Sequence, residues 1–475
     1  MQRILGLFCV LICFFATINA QVDFYRPLVP IHCNSVQKCP EEWPCCSPYG
    51  ECGSGPVCMG GCNPRFSYNE TSCAPMPALV PPNNIEYSSA PLSALDGKED
   101  AAQLESRGLL HFNKYLISDV QSDARYMLEN IAFTYSGPTS IHPQTGDIVL
   151  SMPRGSSGCL LAATRYFLYG RSSVRMRTGR SRGVISSVVI MSAVGDEIDF
   201  EFLGSELYQV QSTYYYRGEL IYNKMLEVPV SSDTNANYHD YEIDWNEHRI
   251  HWLVDGRIVR TLYKEDTWDE ELGIYKYPQT PMRLEVALWP GGLASNHPGT
   301  IEWAGGLIDW DNSPDMIESG KFTAHIKSMT VVPYTNRYIS AINRCMRREH
   351  NIAYDYIMPP DGIFDEASFA IYCGLIPNIR KWSDSGFSIP RNPIQAARWS
   401  GKVFMSGKAF TPVNTETDFV QNINDLASLP NGTMIYNKTQ ENTFSTEQKS
   451  SGASTMAQNN PLRKIKGLAS TFWVS

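Results

Sequence analysis

From Leu109 to Tyr334 apolar and polar residues alternate in short runs broken by turn residues, the period-2 pattern of strands that bury one face. Tyr241, Ile243 and Trp245 alternate with Glu242 and Asp244. Ile250, Trp252 and Val254 run into Asp255-Gly256, a dipeptide suited to a two-residue hairpin turn, and Ile258 resumes beyond it. Phe322 to Val332 alternates again, and long helical periods are few. Many short strands with turn signals predict an all-β sandwich.

One alternating run is chemically unusual. Asp196-Glu197-Ile198-Asp199-Phe200-Glu201-Phe202 would set Glu197, Asp199 and Glu201 on one strand face and Ile198, Phe200 and Phe202 on the other, in a core. Like charges in a row repel and are seldom kept for stability alone; the alternative is a solvent-exposed face with fortuitous acids. At about 3.3 Å per residue the Cα atoms of Glu197 and Glu201 are roughly 13 Å apart. Side chains leaning together recover roughly 7 Å, which approaches the roughly 5–5.5 Å carboxyl separation of a retaining glycosidase. One Glu would attack the anomeric carbon, while the other protonates the departing sugar and then deprotonates the acceptor. Asp199, between them, would hydrogen-bond the nucleophile and raise its neighbours' pKa.

The ends of the chain differ in character. Arg3, the apolar run Ile4 to Phe15 and the small residues ending at Ala20 read as an export signal over 1–20, too short to span a membrane. Cys9 and Cys13 would leave with it. Eight cysteines then crowd into a module over 31–77: Cys33, Cys39, Cys45, Cys46, Cys52, Cys58, Cys62 and Cys73. So short a segment needs staples, and in an exported protein four disulfides are expected. Zinc is the alternative, but matching Cys and His spacings are lacking. Residues 78–108, rich in Pro, Ser, Asn and acids, read as a linker, part of which is able to pack on the next domain. A β domain over 109–335 follows, then a C-terminal extension over 336–475, partly disordered toward its polar end. Cys345 and Cys373 are expected to pair, leaving Cys159 buried and unpaired. Asn69, Asn431 and Asn437 head glycosylation sequons. Cations at Arg463, Lys464 and Lys466 interrupt the place of an apolar tail, so no glycolipid anchor is expected. A net charge of −9 disfavours nucleic acid as a partner. No motif calls for a cofactor or metal, and a monomer is expected.

The acid row resembles the Glu-x-Asp-x-Glu signature of glycoside hydrolase family 16. Its neighbours narrow the resemblance to the fungal Crh-type cell-wall transglycosylases: Gln211–Tyr215 (QSTYY), His239–Trp245 (HDYEIDW), Trp252–Gly256 (WLVDG), Tyr277–Pro281 (YPQTP), Trp289–Gly292 (WPGG), Pro298–Ile301 (PGTI), Trp303–Gly306 (WAGG) and Asp309-Trp310. The likeness covers roughly 30–335 and implies a β-jelly roll with a cleft across a concave sheet. It maps Glu197 to the nucleophile, Asp199 to the auxiliary acid and Glu201 to the acid/base. Trp289 and Trp303 become sugar platforms, with core packing as the alternative, and Gln211, Tyr215 and Thr300 further sugar contacts. The chain departs from the family at Thr213 (often Asn), Tyr216 (often Trp), Leu168 (often aromatic) and Ser187 (a small Gly), which puts subsite preference in doubt.

Cys45 to Gly53 (CCSPYGECG) resembles the hevein-type chitin-binding module, which grips N-acetylglucosamine with one Ser and three aromatics. Ser47 and Tyr49 match, whereas Glu51 and Val57 stand near usual aromatic positions. The alternative is a spacer, or a module packed on the catalytic domain. The resemblance implies a secreted enzyme that moves a β-1,4 chitin or chitosan donor onto a β-glucan acceptor, and the module without an anchor is similar to the yeast spore-wall members. A plain endo-hydrolase and a non-catalytic wall lectin are the competing readings.

Overall fold

The computed structural model describes residues 27–373 apart from 28, 55, 60, 70–71, 90–99, 112–129, 220–223 and 348–350. The expected export signal, Asn431, Asn437 and the polar end of the C-terminal extension lie outside the described residues.

Two eight-stranded sheets form the sandwich. The first runs Leu226–Pro229, Gln209–Tyr215, Glu197–Leu203, Val184–Ser192, Met282–Pro290, Cys159–Ala163, Phe133–Ser136 and Leu109–His111, with only the last pair parallel. The second runs Arg257–Tyr263, Arg249–Val254, His239–Trp245, Gly170–Arg177, Lys321–Pro333, Ile148–Pro153 and Thr139–Ile141, and Ile85–Ser88 also pairs with Lys321–Pro333. Between them lies one apolar core, to which the first sheet contributes Val188, Ile190, Ile198, Phe200, Phe202, Leu284 and Val286, and the second Val174, Tyr241, Ile243, Trp245, Trp252, Phe322 and Ala324. The alternation read from 241–245 and 250–254 thus resolves into inward apolar residues on paired strands, Ile243 opposite Trp252. The hairpin beyond closes through Asp255 and Gly256, both at positive φ, as its turn requires.

Strands at the centre of the first sheet are buried on both faces. Every residue of Val184–Ser192, Glu197–Leu203 and Met282–Pro290 is buried. Such strands read as near-continuous apolar runs, as VISSVVIMS and MRLEVALWP largely do; the polar interruptions mark the face away from the core. Among the described residues no helix is long and apolar enough to cross a membrane.

Part of the segment read as a linker over 78–108 packs on the domain. Ala78, Leu79 and Val80 are buried, and Ile85–Ser88 is a strand of the second sheet. Proline-rich composition hid two buried anchors, Ile85 and Tyr87, which alternate with exposed Glu86 and Ser88. The C-terminal extension is ordered at its start: helix Ile339–Met346 and strands Ile352–Tyr356 and Phe369–Cys373 pack on the domain, and Ile352–Tyr356 pairs with Met76–Pro77 of the cysteine-rich segment. That segment holds disulfides Cys33–Cys46, Cys39–Cys52, Cys45–Cys58 and Cys62–Cys73. Cys345 and Cys373 are joined, and Cys159 is free and buried. The cysteines grouped closely enough to suggest a metal, Cys33, Cys39 and Cys46, are all tied up in these bonds.

Phe200 is wholly buried, its ring 5.8 Å from that of Tyr241 across the sandwich. Phe200→Ala is expected to cost about 3–5 kcal/mol and lower the thermal midpoint by roughly 10 °C. Val36→Ala, at a residue 94% exposed, should leave it unchanged in the same melt.

Candidate active site

The pairing register assembles the site. On the face away from the core, Glu197 stands opposite Tyr215 on one side and Met191 on the other, with Arg283 next. Asp199 stands between Thr213 and Val189, with Glu285 beyond Val189. Glu201 stands between Gln211 and Ser187, then Ala287. The three carboxylates therefore share one face while Ile198, Phe200 and Phe202 enter the core. All three are buried, Glu197 being the most open at 3% exposure.

Each acid has its own environment. Ser187 Oγ donates to Glu201 Oε2 at 2.6 Å, and the Trp289 indole Nε1 donates to Ser187 Oγ at 3.0 Å, forming a relay that ends on Glu201. The Thr213 N–H donates to Asp199 Oδ1 at 3.1 Å, and the Trp252 indole reaches through the core to the Asp199 carbonyl at 3.0 Å. Burial raises the pKa of all three acids, and the charge of Asp199 raises both glutamates further. Asp199 is pushed up to about 7 by burial, restrained by its hydrogen bond with Glu197 and by the Thr213 N–H. Glu201 is held back by the Ser187 hydroxyl. One oxygen of each acid, Glu197 Oε1, Asp199 Oδ2 and Glu201 Oε1, is buried without a protein partner among the described residues. The arrangement is chemically equipped for acid/base and nucleophilic work, with protons shared across a row that cannot ionise fully near neutral pH.

Of the expected sugar contacts Gln211, Trp289 and Trp303 gather around Glu201, with a different exposure from that of open platforms. Trp289 and Trp303 are only 4% and 5% exposed. They stack on each other with ring centroids 5.9 Å apart, beside Ile185, Leu203 and Ala304. Trp303 Nε1 donates to Gln211 Oε1 at 2.8 Å, so Gln211 and Trp303 meet as well. The expectation of accessible indole faces is corrected: Trp289, near the end of strand Met282–Pro290, and Trp303, at the end of helix Pro298–Trp303, seat their rings in a small apolar cluster. Gln211 Nε2 and the buried Thr300 Oγ1 have no protein partner among the described residues, and Tyr215 lies opposite Glu197.

Ser47 and Tyr49, read as chitin contacts, are both engaged within the chain. Ser47 is buried and its Oγ accepts the Glu51 N–H at 3.1 Å. The Tyr49 hydroxyl donates to Glu285 Oε2 at 2.7 Å, on the face that carries the acid row. Asn69 is exposed.

Two groups escaped the sequence reading. Asp196, wholly buried, accepts the Arg217 N–H on Oδ1, and the Gln279 N–H and Thr280 hydroxyl on Oδ2, so it ties two other loops to the start of the acid-row strand. Its place directly before the signature and the adjoining YPQTP segment were the available clues. Glu285 forms a buried ion pair with Arg283 at 2.8 Å and contributes to the raised pKa of Glu197. Polar residues at i and i+2 in an otherwise apolar strand were its only signal.

Comparison with known proteins agrees with this geometry. The family model "Glycosyl hydrolases family 16" matches residues 127–305, which include the whole acid row. The chain is 49% identical over 347 residues to "Probable glycosidase CRR1" of Saccharomyces cerevisiae, covering 68% of this chain and 82% of that protein. It is 40% identical over 311 residues to "Crh-like protein 3" of Botryotinia fuckeliana, covering 66% and 63%. A solved structure titled "Apo Crh5 transglycosylase" is 26% identical, with 63% of this chain and 97% of that one covered at a TM-score of 0.44. A jelly-roll sandwich with three carboxylates on one strand face, together with the family match over the acid row and the 49% identity over 68% of the chain, makes the chain a member of glycosyl hydrolase family 16, among the Crh-like glycosidases.

Proposed function

We propose that the protein is a secreted, retaining transglycosylase of the fungal cell wall, which cleaves a β-1,4-linked chitin-type donor and transfers it to a hydroxyl of β-glucan. The observation that carries this reading is the buried acid row, with Glu197, Asp199 and Glu201 on one strand face and Glu201 held by Ser187. The donor, the acceptor and a role in the wall, in particular the spore wall, rest on the Crh-type motifs.

In the reaction Glu197, as carboxylate, attacks the anomeric carbon. The bond from that carbon to the departing oxygen breaks while Glu201 delivers its proton to that oxygen. Glu201, now ionised, takes the proton of the incoming hydroxyl, whose oxygen attacks the same carbon and releases Glu197. Two inversions give retention. Asp199 serves the nucleophile, because the proton it shares with Glu197 steadies that carboxylate as its charge is spent and returned. Burial and Asp199 keep Glu201 protonated into the range where it must act as an acid. The Ser187 hydroxyl favours its ionised form, as the second half of the cycle requires. Transfer prevails over hydrolysis when acceptor subsites hold sugar long enough to exclude water.

Three outcomes test this reading. Labelled chito-oligosaccharide mixed with glucan acceptor should give a higher-mass hybrid with wild type. With Glu197→Gln the hybrid should fall by several orders of magnitude while sugar is still bound. Normal transfer by the mutant would remove Glu197 as nucleophile, and shortened oligosaccharide alone from wild type would make the enzyme a hydrolase. Ser187→Ala deletes a donor to ionised Glu201, so Glu201 should hold its proton to higher pH, and the alkaline limb of the transfer profile should move up. A limb that stays in place or moves down would contradict the relay.

The third outcome concerns stability. A buried acid with a raised pKa keeps its proton when the unfolded chain has released it. Asp199 therefore costs stability above the ordinary carboxyl range near pH 4, and the cost grows until pH passes about 7. Asp199→Asn should raise the thermal midpoint by a few degrees at pH 7 and hardly at pH 4, while activity falls. Equal shifts at both pH values would refute the electrostatic cause.

A further inference from the structure

The cysteine-rich module lies against the catalytic domain. The Tyr49 hydroxyl rests on Glu285 Oε2, and Glu285 also accepts the Arg283 Nε–H. The Tyr356 hydroxyl donates to the Cys62 carbonyl at 2.7 Å. Gly61 sits so near Tyr166 that a Cβ there would come within 2.1 Å of the phenol oxygen. Arg65 lies near enough to Arg217, just beyond the strand carrying Tyr215, to feel its charge. Four disulfides stiffen the module. Its conformation around Tyr49 is therefore set before any sugar arrives.

The location of the contact gives it meaning. Glu285 is in register with Asp199, with only Val189 between them. Adjacent strands are about 4.8 Å apart, so Glu285 is roughly 10 Å from the acid row across the strands. A sugar chain that presents one glycosidic bond to Glu197 and Glu201 together crosses the row from strand to strand, and on one side it passes Glu285. The Tyr49 hydroxyl is occupied, yet the residue remains partly exposed, unlike Trp289 and Trp303. Tyr49 thus keeps some exposed surface beside Glu285, while Ser47 and Glu51 are buried in the module.

We propose that Tyr49 is a specificity-determining residue of the catalytic cleft, forming with Glu285 the wall of a sugar subsite within a disaccharide's reach of the bond that is broken. The module then measures the bound polysaccharide and does not act as a separate tether to chitin. This deepens the transglycosylase reading and rests on the acid row being the place of cleavage.

The full-length secreted protein tests it with two series: chito-oligosaccharide donors of increasing length with a fixed glucan acceptor, and glucan acceptors of increasing length with a fixed donor. An aromatic contact of this kind is worth up to about tenfold. Tyr49→Ala is expected to lose about that factor in kcat/KM, through KM, on the longer members of one series, while turning over the shortest members as wild type does. Tyr49→Phe, which keeps the ring, should stay within about threefold throughout. If Tyr49→Ala is not secreted, Tyr49→Leu keeps the apolar bulk of the contact and makes the same comparison. A Tyr49→Ala enzyme equal to wild type at every length in both series, or weakened by one factor at all lengths, overturns the subsite while leaving the transglycosylase reading intact. Wild type inert toward every pair brings down both.

Discussion

The two faces of Glu197–Leu203 make opposite demands, and the apolar face is what lets the acidic face exist. Ile198, Phe200 and Phe202 are buried against Tyr241 and its neighbours, each contributing about 1.5–3 kcal/mol. On the other face three carboxylates are held out of water with fewer hydrogen bonds than they could accept. A slip of one residue would exchange the faces, placing the acids in the core. Continuous pairing with Val184–Ser192 and Gln209–Tyr215 prevents it. The Trp252 indole adds a cross-sandwich pin, since its hydrogen bond to the Asp199 carbonyl ties the middle of the row to the opposite sheet.

Within that frame the acids are differentiated by what touches them. A symmetric row would leave the shared protons without preference. Here Glu201 receives the Trp289–Ser187 relay, Asp199 the Thr213 N–H, and Glu197 the hydrogen bond of Asp199 together with the field of Glu285. The donors stand on other strands, the Ser187 hydroxyl backed by the Trp289 indole at Glu201 and the Thr213 backbone N–H at Asp199, so the order of proton affinities is a property of the sheet register. That ties chemistry to fold: shifting one neighbouring strand would change the acid/base assignment even with the acids untouched.

Local periodicity made much of this legible. Residues 241–245, 250–256 and 197–202 announce strands, a hairpin and an acid row, because each is set by alternation over a few positions or by turn chemistry at Asp255-Gly256. Ser187 was visible as a family departure, though its contact with Glu201 was not, since register between strands is a tertiary property. The strand at Ile85–Ser88 was hidden by polar, proline-rich surroundings. Trp289 and Trp303 misled in exposure because glycine-rich loops were taken as solvent-facing, whereas their two rings bury one another. The Tyr49–Glu285 contact spans 236 positions, and no pattern within either segment encodes it.

The docking of the module follows from its size. A segment of about forty residues cannot bury much apolar surface by itself, and the small cluster of Trp43 with four cysteines is most of what it has. Surface shared with the catalytic domain supplies the remainder. The chain leaving the module does not swing free: Met76–Pro77 pairs with Ile352–Tyr356, whose other neighbour, Phe369–Cys373, is linked through Cys373 to Cys345 on the preceding helix. Ala78 and Leu79 then bond to Ile352 and Tyr166, and Ile85–Ser88 joins the second sheet. A flexible tether would let the module search for polymer at a distance set by linker length. With so short a path tied at each step, the module is confined to the position where Tyr49 meets Glu285.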